Sequence, residues 1–236
     1  MATHRPAFDL FTDVAGALES AITVTRKHPA LADIVLDMLM LQAFKAYGAV
    51  ALLAQHGLME DSATIARRLL ELSVQAVYVG AESEETLRER KAGRYLSFMW
   101  RKLPSRIKHR LPPSVRSQWT AIARKYARFV SRKARSWGPN WRDMFREIGA
   151  EATHKADYSF LSAIAHGSPD NQVFVFSQSR IRIHSDQFVS VVLAYATRYC
   201  LMAADQWNSR FHILDAKEFA RFVKRVRQFK ASRGAV

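Results

Sequence analysis

The sequence predicts a mostly α-helical bundle with one small β-hairpin at about 173–184 and a basic helical excursion at residues 90–142. Three observations lead there. Apolar residues recur at helical spacing along most of the 236 residues, punctuated by Pro and Gly. One short stretch alternates with period two instead. The positive charge sits in one central block rather than being spread along the chain.

The first helix is expected over about Asp9 to Lys27, stopped by Pro29. The second runs from Leu31 to His56 and ends at Gly57. Its apolar residues cover most of its circumference, the mark of a buried helix. Asp33, Asp37, Gln42 and Lys45 interrupt it, so it is not expected to span a membrane. A third helix follows Glu60-Asp61-Ser62, side chains suited to a helix N-terminus, and ends near Gly80. A fourth covers Ser83 to Lys102, closed by Pro104. After Leu111-Pro112-Pro113 a basic helix is expected from Ser114 to Ser136. Shorter helices follow at Trp141 to Gly149 and Lys155 to His166. Val173-Phe174-Val175-Phe176 and Arg180-Ile181-Arg182-Ile183-His184, joined by Ser177-Gln178-Ser179, read as the hairpin. Asp186 to Phe211 and Asp215 to Lys230 complete the chain as helices. No linker or repeat divides it, so one domain is expected over residues 1–236, with 90–142 as an insertion within it.

The charge narrows the function. Lys and Arg total 36 against 21 Asp and Glu, a net charge of +15. Residues 90–142 carry 16 basic side chains and no acidic one. Such a block repels itself unless a polyanion meets it. Arg116, Arg124, Lys125, Arg128, Arg132, Lys133 and Arg135 lie on the predicted basic helix, interleaved with Trp119, Tyr126, Phe129 and Trp137. Cations for phosphates with aromatic rings for bases compose a nucleic-acid surface, RNA ahead of DNA. The alternative is a solvated face with ordinary core aromatics. An acidic protein partner is a further alternative; a membrane surface fits least, because the basic helix lacks a wide Leu/Phe face. The single Cys200 permits no intrachain disulfide, which suits a reducing, cytoplasmic setting.

Two polar patterns are candidates for chemistry. Tyr158, Ser162 and His166 recur at four-residue spacing and form one stripe on a helix. His166 would sit at the helix C-terminus, where the dipole favours its protonated ring by a few tenths to about 1 kcal/mol. It reads as a proton donor or phosphate contact, or else as a capping histidine. Arg67 and Glu71 are four apart on a largely apolar helix, so at least one of them should be partly buried and paired. Glu71 would hold Arg67 for a phosphate, or the two form a plain surface ion pair. The histidines lack metal-ligand spacing, no glycine-rich phosphate loop or nucleophile elbow occurs, and Cys200 lies mid-helix in an apolar run. No metal or cofactor is expected.

Arg67-Arg68-Leu69-Leu70-Glu71, the Trp-containing basic stretch and Tyr158-Ser159-Phe160-Leu161-Ser162-Ala163-Ile164-Ala165-His166-Gly167-Ser168 together resemble a bacterial family of unknown function. That family shares Arg-x-x-x-Glu and Tyr-x-x-x-Ser-x-x-x-His-Gly motifs, and the resemblance covers residues 30–210. It is distantly similar to the HEPN class of nucleotide-binding helical bundles. This likeness implies a bundle that often dimerises and, in many members, a metal-independent ribonuclease of toxin, phage-defence or CRISPR systems. A non-catalytic accessory subunit of an effector complex is the alternative. The class uses an Arg-x(4–6)-His pair, but the positions that would hold the Arg before His166 are Ser159, Phe160 and Leu161, with Lys155 the nearest upstream cation. Arg67 would have to supply the missing guanidinium from another helix. The resemblance thus gathers Arg67, Glu71, Tyr158, Ser162 and His166 into one expected site.

Overall fold

A computed structural model of the protein describes residues 4–25, 30–129, 136–165 and 189–231. Its centre is a three-helix layer. Helix α2 (Leu31–Gln55) packs on α3 (Met59–Gly80), and α10 (Val189–Phe211) packs on both. Helices α1 (Arg5–Ile22) and α11 (Ala216–Ala231) lie against α10 and touch each other. Helix α1 begins four residues before the expected Asp9, with Pro6 in its first turn, where a missing N–H costs nothing.

Helix α2 is long and apolar enough to cross a membrane by length and composition. Here Val35, Leu36, Leu39, Met40, Ala43 and Tyr47 are buried against the neighbouring helices. Burying each large apolar side chain contributes roughly 1.5–3 kcal/mol. The acid in its first turn is also inside: Asp33 is 3% exposed and accepts Arg210 Nε–H at 2.8 Å. Two N–H groups of that turn, Leu31 and Ala32, donate to the carboxylate of Glu89, on the helix Glu85–Lys102, at 3.1 and 2.9 Å. Those donors have no partner within their own helix, so a carboxylate from another element supplies the cap.

Helix α4 (Glu85–Lys102) leads into the basic excursion, which continues as α5 (Ser105–Arg110) and α6 (Pro113–Tyr126). The excursion folds back, because α6 packs along α4. Trp100 stacks on Trp119 with centroids 6.1 Å apart, and Ser97 Oγ–H donates to the Ala123 carbonyl at 3.2 Å. Tyr126 presses flat on Gly93, where any Cβ would overlap its ring.

Two expectations for this region need correction. The basic helix does not continue unbroken to Ser136: it ends at Tyr126, a 3₁₀ turn covers Ala127–Phe129, and residues 136–139 form bends. Arg132, Lys133 and Arg135 lie outside the described residues. The interleaved aromatics also divide. Trp137 is buried, donates its indole N–H to Gln75 Oε1 at 3.1 Å and meets Tyr78 and Tyr95 edge-on. Tyr126 is buried as well. Both rings are spent on packing and cannot stack on a base. Trp119 and Phe129 remain partly exposed.

The chain then forms α7 (Trp141–Glu147), α8 (Glu151–Thr153), a π-helical turn (His154–Tyr158) and α9 (Ser159–Ala165), with α7 and α9 against α3. Asn140 caps α7 by accepting Asp143 N–H at 2.9 Å. No strand occurs among the described residues. The hairpin expected at about 173–184 lies outside them.

Candidate functional site

Three of the five polar residues singled out from the sequence meet. Arg67 and Glu71 lie one turn apart on α3, with side chains 23% and 13% exposed, and Arg67 Nε is 3.4 Å from Glu71 Oε1. Arg67 Nη2–H donates to the Tyr158 hydroxyl at 3.2 Å, and its guanidinium carbon lies 5.1 Å from the centroid of the Tyr158 ring. Arg68 reaches the other oxygen of Glu71 at 3.3 Å, so one carboxylate serves two guanidinium groups. The arrangement fixes the plane and direction of the Arg67 fork, the condition for gripping a phosphate oxygen pair.

Tyr158 is itself held by aromatic neighbours. His154 stacks on it nearly parallel, at 5.2 Å and 12°, and Phe145 meets both rings edge-on. Ser162 follows one turn later on α9, with a buried Oγ that has no hydrogen-bond partner among the described residues. His166, the expected end of this stripe, lies outside the described residues.

The π turn adds a residue to the helical circuit at this point, and the stripe upstream of Ser159 is displaced accordingly. Two successive residues of the turn face different helices. Tyr158 meets Arg67 of α3, whereas Asp157, 2% exposed, accepts Arg198 Nη1–H of α10 at 2.8 Å. Arg198 also donates to Thr153 Oγ1 at 3.3 Å. Tyr199 lies beside this pair; burial, and then the Asp157 charge, raise its phenol well above the ordinary range. Asp157 and Arg198 were missed in the sequence, although a lone Arg in the apolar run Val189–Ala204 is a signal of a buried charge seeking a partner.

The expected nucleic-acid residues fall on the excursion. Arg124, Lys125 and Arg128 are exposed and Arg116 is half-buried. Arg106 and Arg110 of α5 are exposed and extend the same charge. Within the block Lys91 is neutralised from outside it, by Glu82 at 3.1 Å. Cys200 is fully buried among apolar neighbours, and burial raises its thiol far above the ordinary value, so it is no nucleophile.

No curated protein and no solved structure matches the chain. A family model does match, over residues 33–179, which takes in Arg67, Glu71, the whole excursion and Tyr158. The chain therefore belongs to DUF5677, a family of unknown function.

Proposed function

We propose that the protein binds nucleic acid, RNA in preference to DNA, through the basic face of α4 to α6. The observation that carries this reading is the run of 53 residues, 90–142, with 16 cations and no carboxylate. Exposed Arg106, Arg110, Arg124, Lys125 and Arg128 make no ion pair among the described residues. These cations are open to a partner from solution, and a phosphate backbone supplies negative charge at matching density. The test is fluorescence anisotropy of labelled single-stranded RNA and DNA across a salt series. Binding is expected to weaken steeply, with log K falling by about 0.7 per phosphate contact for each decade of salt. No retention of any oligonucleotide at low salt overturns the reading.

The HEPN resemblance expected from the sequence motifs would give this reading a catalytic form, a metal-independent ribonuclease of a defence or toxin-type system. In that form His166 exchanges a proton with the ribose 2′-hydroxyl or the leaving oxygen. Arg67, oriented by Glu71 and Tyr158, faces the phosphorane charge, and Ser162 positions the phosphate. Chelator-resistant RNA cleavage that is lost in His166→Ala is the expected result.

One observation favours the non-catalytic alternative, an accessory nucleic-acid clamp. The Arg67 fork already spans Glu71 and Tyr158 and so ties α3 to the 151–165 segment, a purely architectural use of the same residues. RNA binding without cleavage distinguishes it.

A further inference from the structure

A cleft of about 420 Å³ opens at the root of the excursion, between the start of α4 and the 3₁₀ turn that ends α6. We infer that this cleft is a nucleotide subsite, which takes a nucleoside monophosphate unit with its phosphate held by Arg90, Lys125 and Arg128. The inference rests on the nucleic-acid reading for the class of ligand, and it narrows that reading from a charged face to one built recess.

The wall carries both signs of charge, and how each is used decides the matter. Glu89 is occupied by the two backbone N–H groups of α2. Glu85 accepts Arg88 Nη1–H at 2.6 Å and lies 3.8 Å from Arg210. Arg90, Lys125 and Arg128 share the cleft with these carboxylates, yet none is paired with them or with any other carboxylate among the described residues. They lie against aromatic faces instead. The Arg90 and Arg128 guanidinium carbons are 5.2 and 4.7 Å from the Phe129 centroid, and Lys125 Nζ is 5.3 Å from that of Tyr126. An arginine laid on a ring keeps its in-plane N–H donors free for bidentate contact with a phosphate. Arg90 comes from α4 and Arg128 from the turn after α6, so the two converge on one ring from separate elements. Phe129, itself partly exposed, is thus the common support on which both guanidinium groups rest at the mouth of the cleft. The volume falls in the range of small-ligand sites, roughly 300–1,000 Å³.

The experiment is calorimetric titration of the full-length protein with adenosine 5′-monophosphate, adenosine and inorganic phosphate. It is repeated on Arg90→Gln, Arg128→Gln and Phe129→Leu, with Arg106→Gln/Arg110→Gln as the control pair. The nucleotide is expected to bind, and adenosine alone to bind far more weakly. Each Arg→Gln change in the cleft should weaken nucleotide binding by about tenfold or more, the loss of one charge-assisted contact. The control pair should leave nucleotide binding unchanged while lowering affinity for RNA. A 5′-phosphorylated oligonucleotide that competes with the nucleotide, where its 5′-hydroxyl counterpart does not, identifies a chain end as the source of the phosphate. Competition by neither identifies the free nucleotide. The subsite is overturned if the nucleotide does not bind, or if it binds equally to the Arg90 and Arg128 variants. RNA binding that persists in either case leaves the proposed function standing. Nucleotide binding in a protein that holds no RNA does the reverse.

Discussion

The Tyr158 hydroxyl accepts Arg67 Nη2–H at 3.2 Å while its ring lies 5.1 Å from the same guanidinium carbon. A single tyrosine thereby contacts one arginine through both its polar tip and its π face. The two contributions are separable by mutation. Tyr158→Phe keeps the ring and loses the hydrogen bond, and should cost about 1.5–3 kcal/mol, the range for a hydrogen bond to a charged group. Tyr158→Leu loses both contacts and should cost more. Urea unfolding of the two variants checks the order, and a double-mutant cycle with Arg67→Ala isolates the pair.

Asp157 anchors the π turn to α10 through Arg198. Removing the partner of a buried charge costs about 3–5 kcal/mol, and Arg198, a third exposed, places Asp157→Ala at the lower end of that range. The variant should also free the Tyr158 ring, because the two residues share the turn. Loss of near-ultraviolet circular dichroism with helical content retained would report that release.

Gly93 and Gly16 form an internal control for backbone substitution. Gly93→Ala drives a methyl into the Tyr126 ring and should cost about 1–3 kcal/mol, with α6 the first segment to lose hydrogen-exchange protection. Gly16→Ala meets nothing within 4 Å in the middle of α1 and should stabilise by about 0.5–1 kcal/mol. Thermal melts of the two variants should therefore shift in opposite directions.

Alkaline pH should unfold the protein through its tyrosines. Burial raises Tyr47 and Tyr199 well above the ordinary phenol value, and raises Tyr95 as well. In the unfolded chain these phenols ionise near about pH 10. Folding stability is therefore complete below that pH and is lost as pH rises through the window between the unfolded and the higher folded values. Phenolate absorbance should appear for Tyr47 and Tyr199 only together with the loss of helical circular dichroism. Ionisation of every tyrosine before unfolding would contradict this.

The helix order was legible because Pro and Gly punctuate a strong helical period: α2 and α4 begin or end within two residues of expectation. The Arg67–Glu71 pair was legible from its four-residue spacing on an apolar helix. Its meeting with Tyr158 followed from a family resemblance, since spacing says nothing about which helices touch. The π turn was not legible, because no residue type dictates an extra residue in a helical circuit, and Asp157 was hidden with it. Composition also misassigned Tyr126 and Trp137. An aromatic beside an arginine looks the same in a sequence whether its ring faces a neighbouring helix or a base, and only the close approach at Gly93 and the indole bond to Gln75 decide between them.

Glu89 gives the excursion its mechanical character. Its carboxylate clasps the first turn of α2, one of the three central helices, and the very next residue, Arg90, lines the cleft. The arm is thus not a tether that swings while the body stays still. Any load on its root is felt at the top of α2, and a change that loosens α2 loosens the grip of the arm in return.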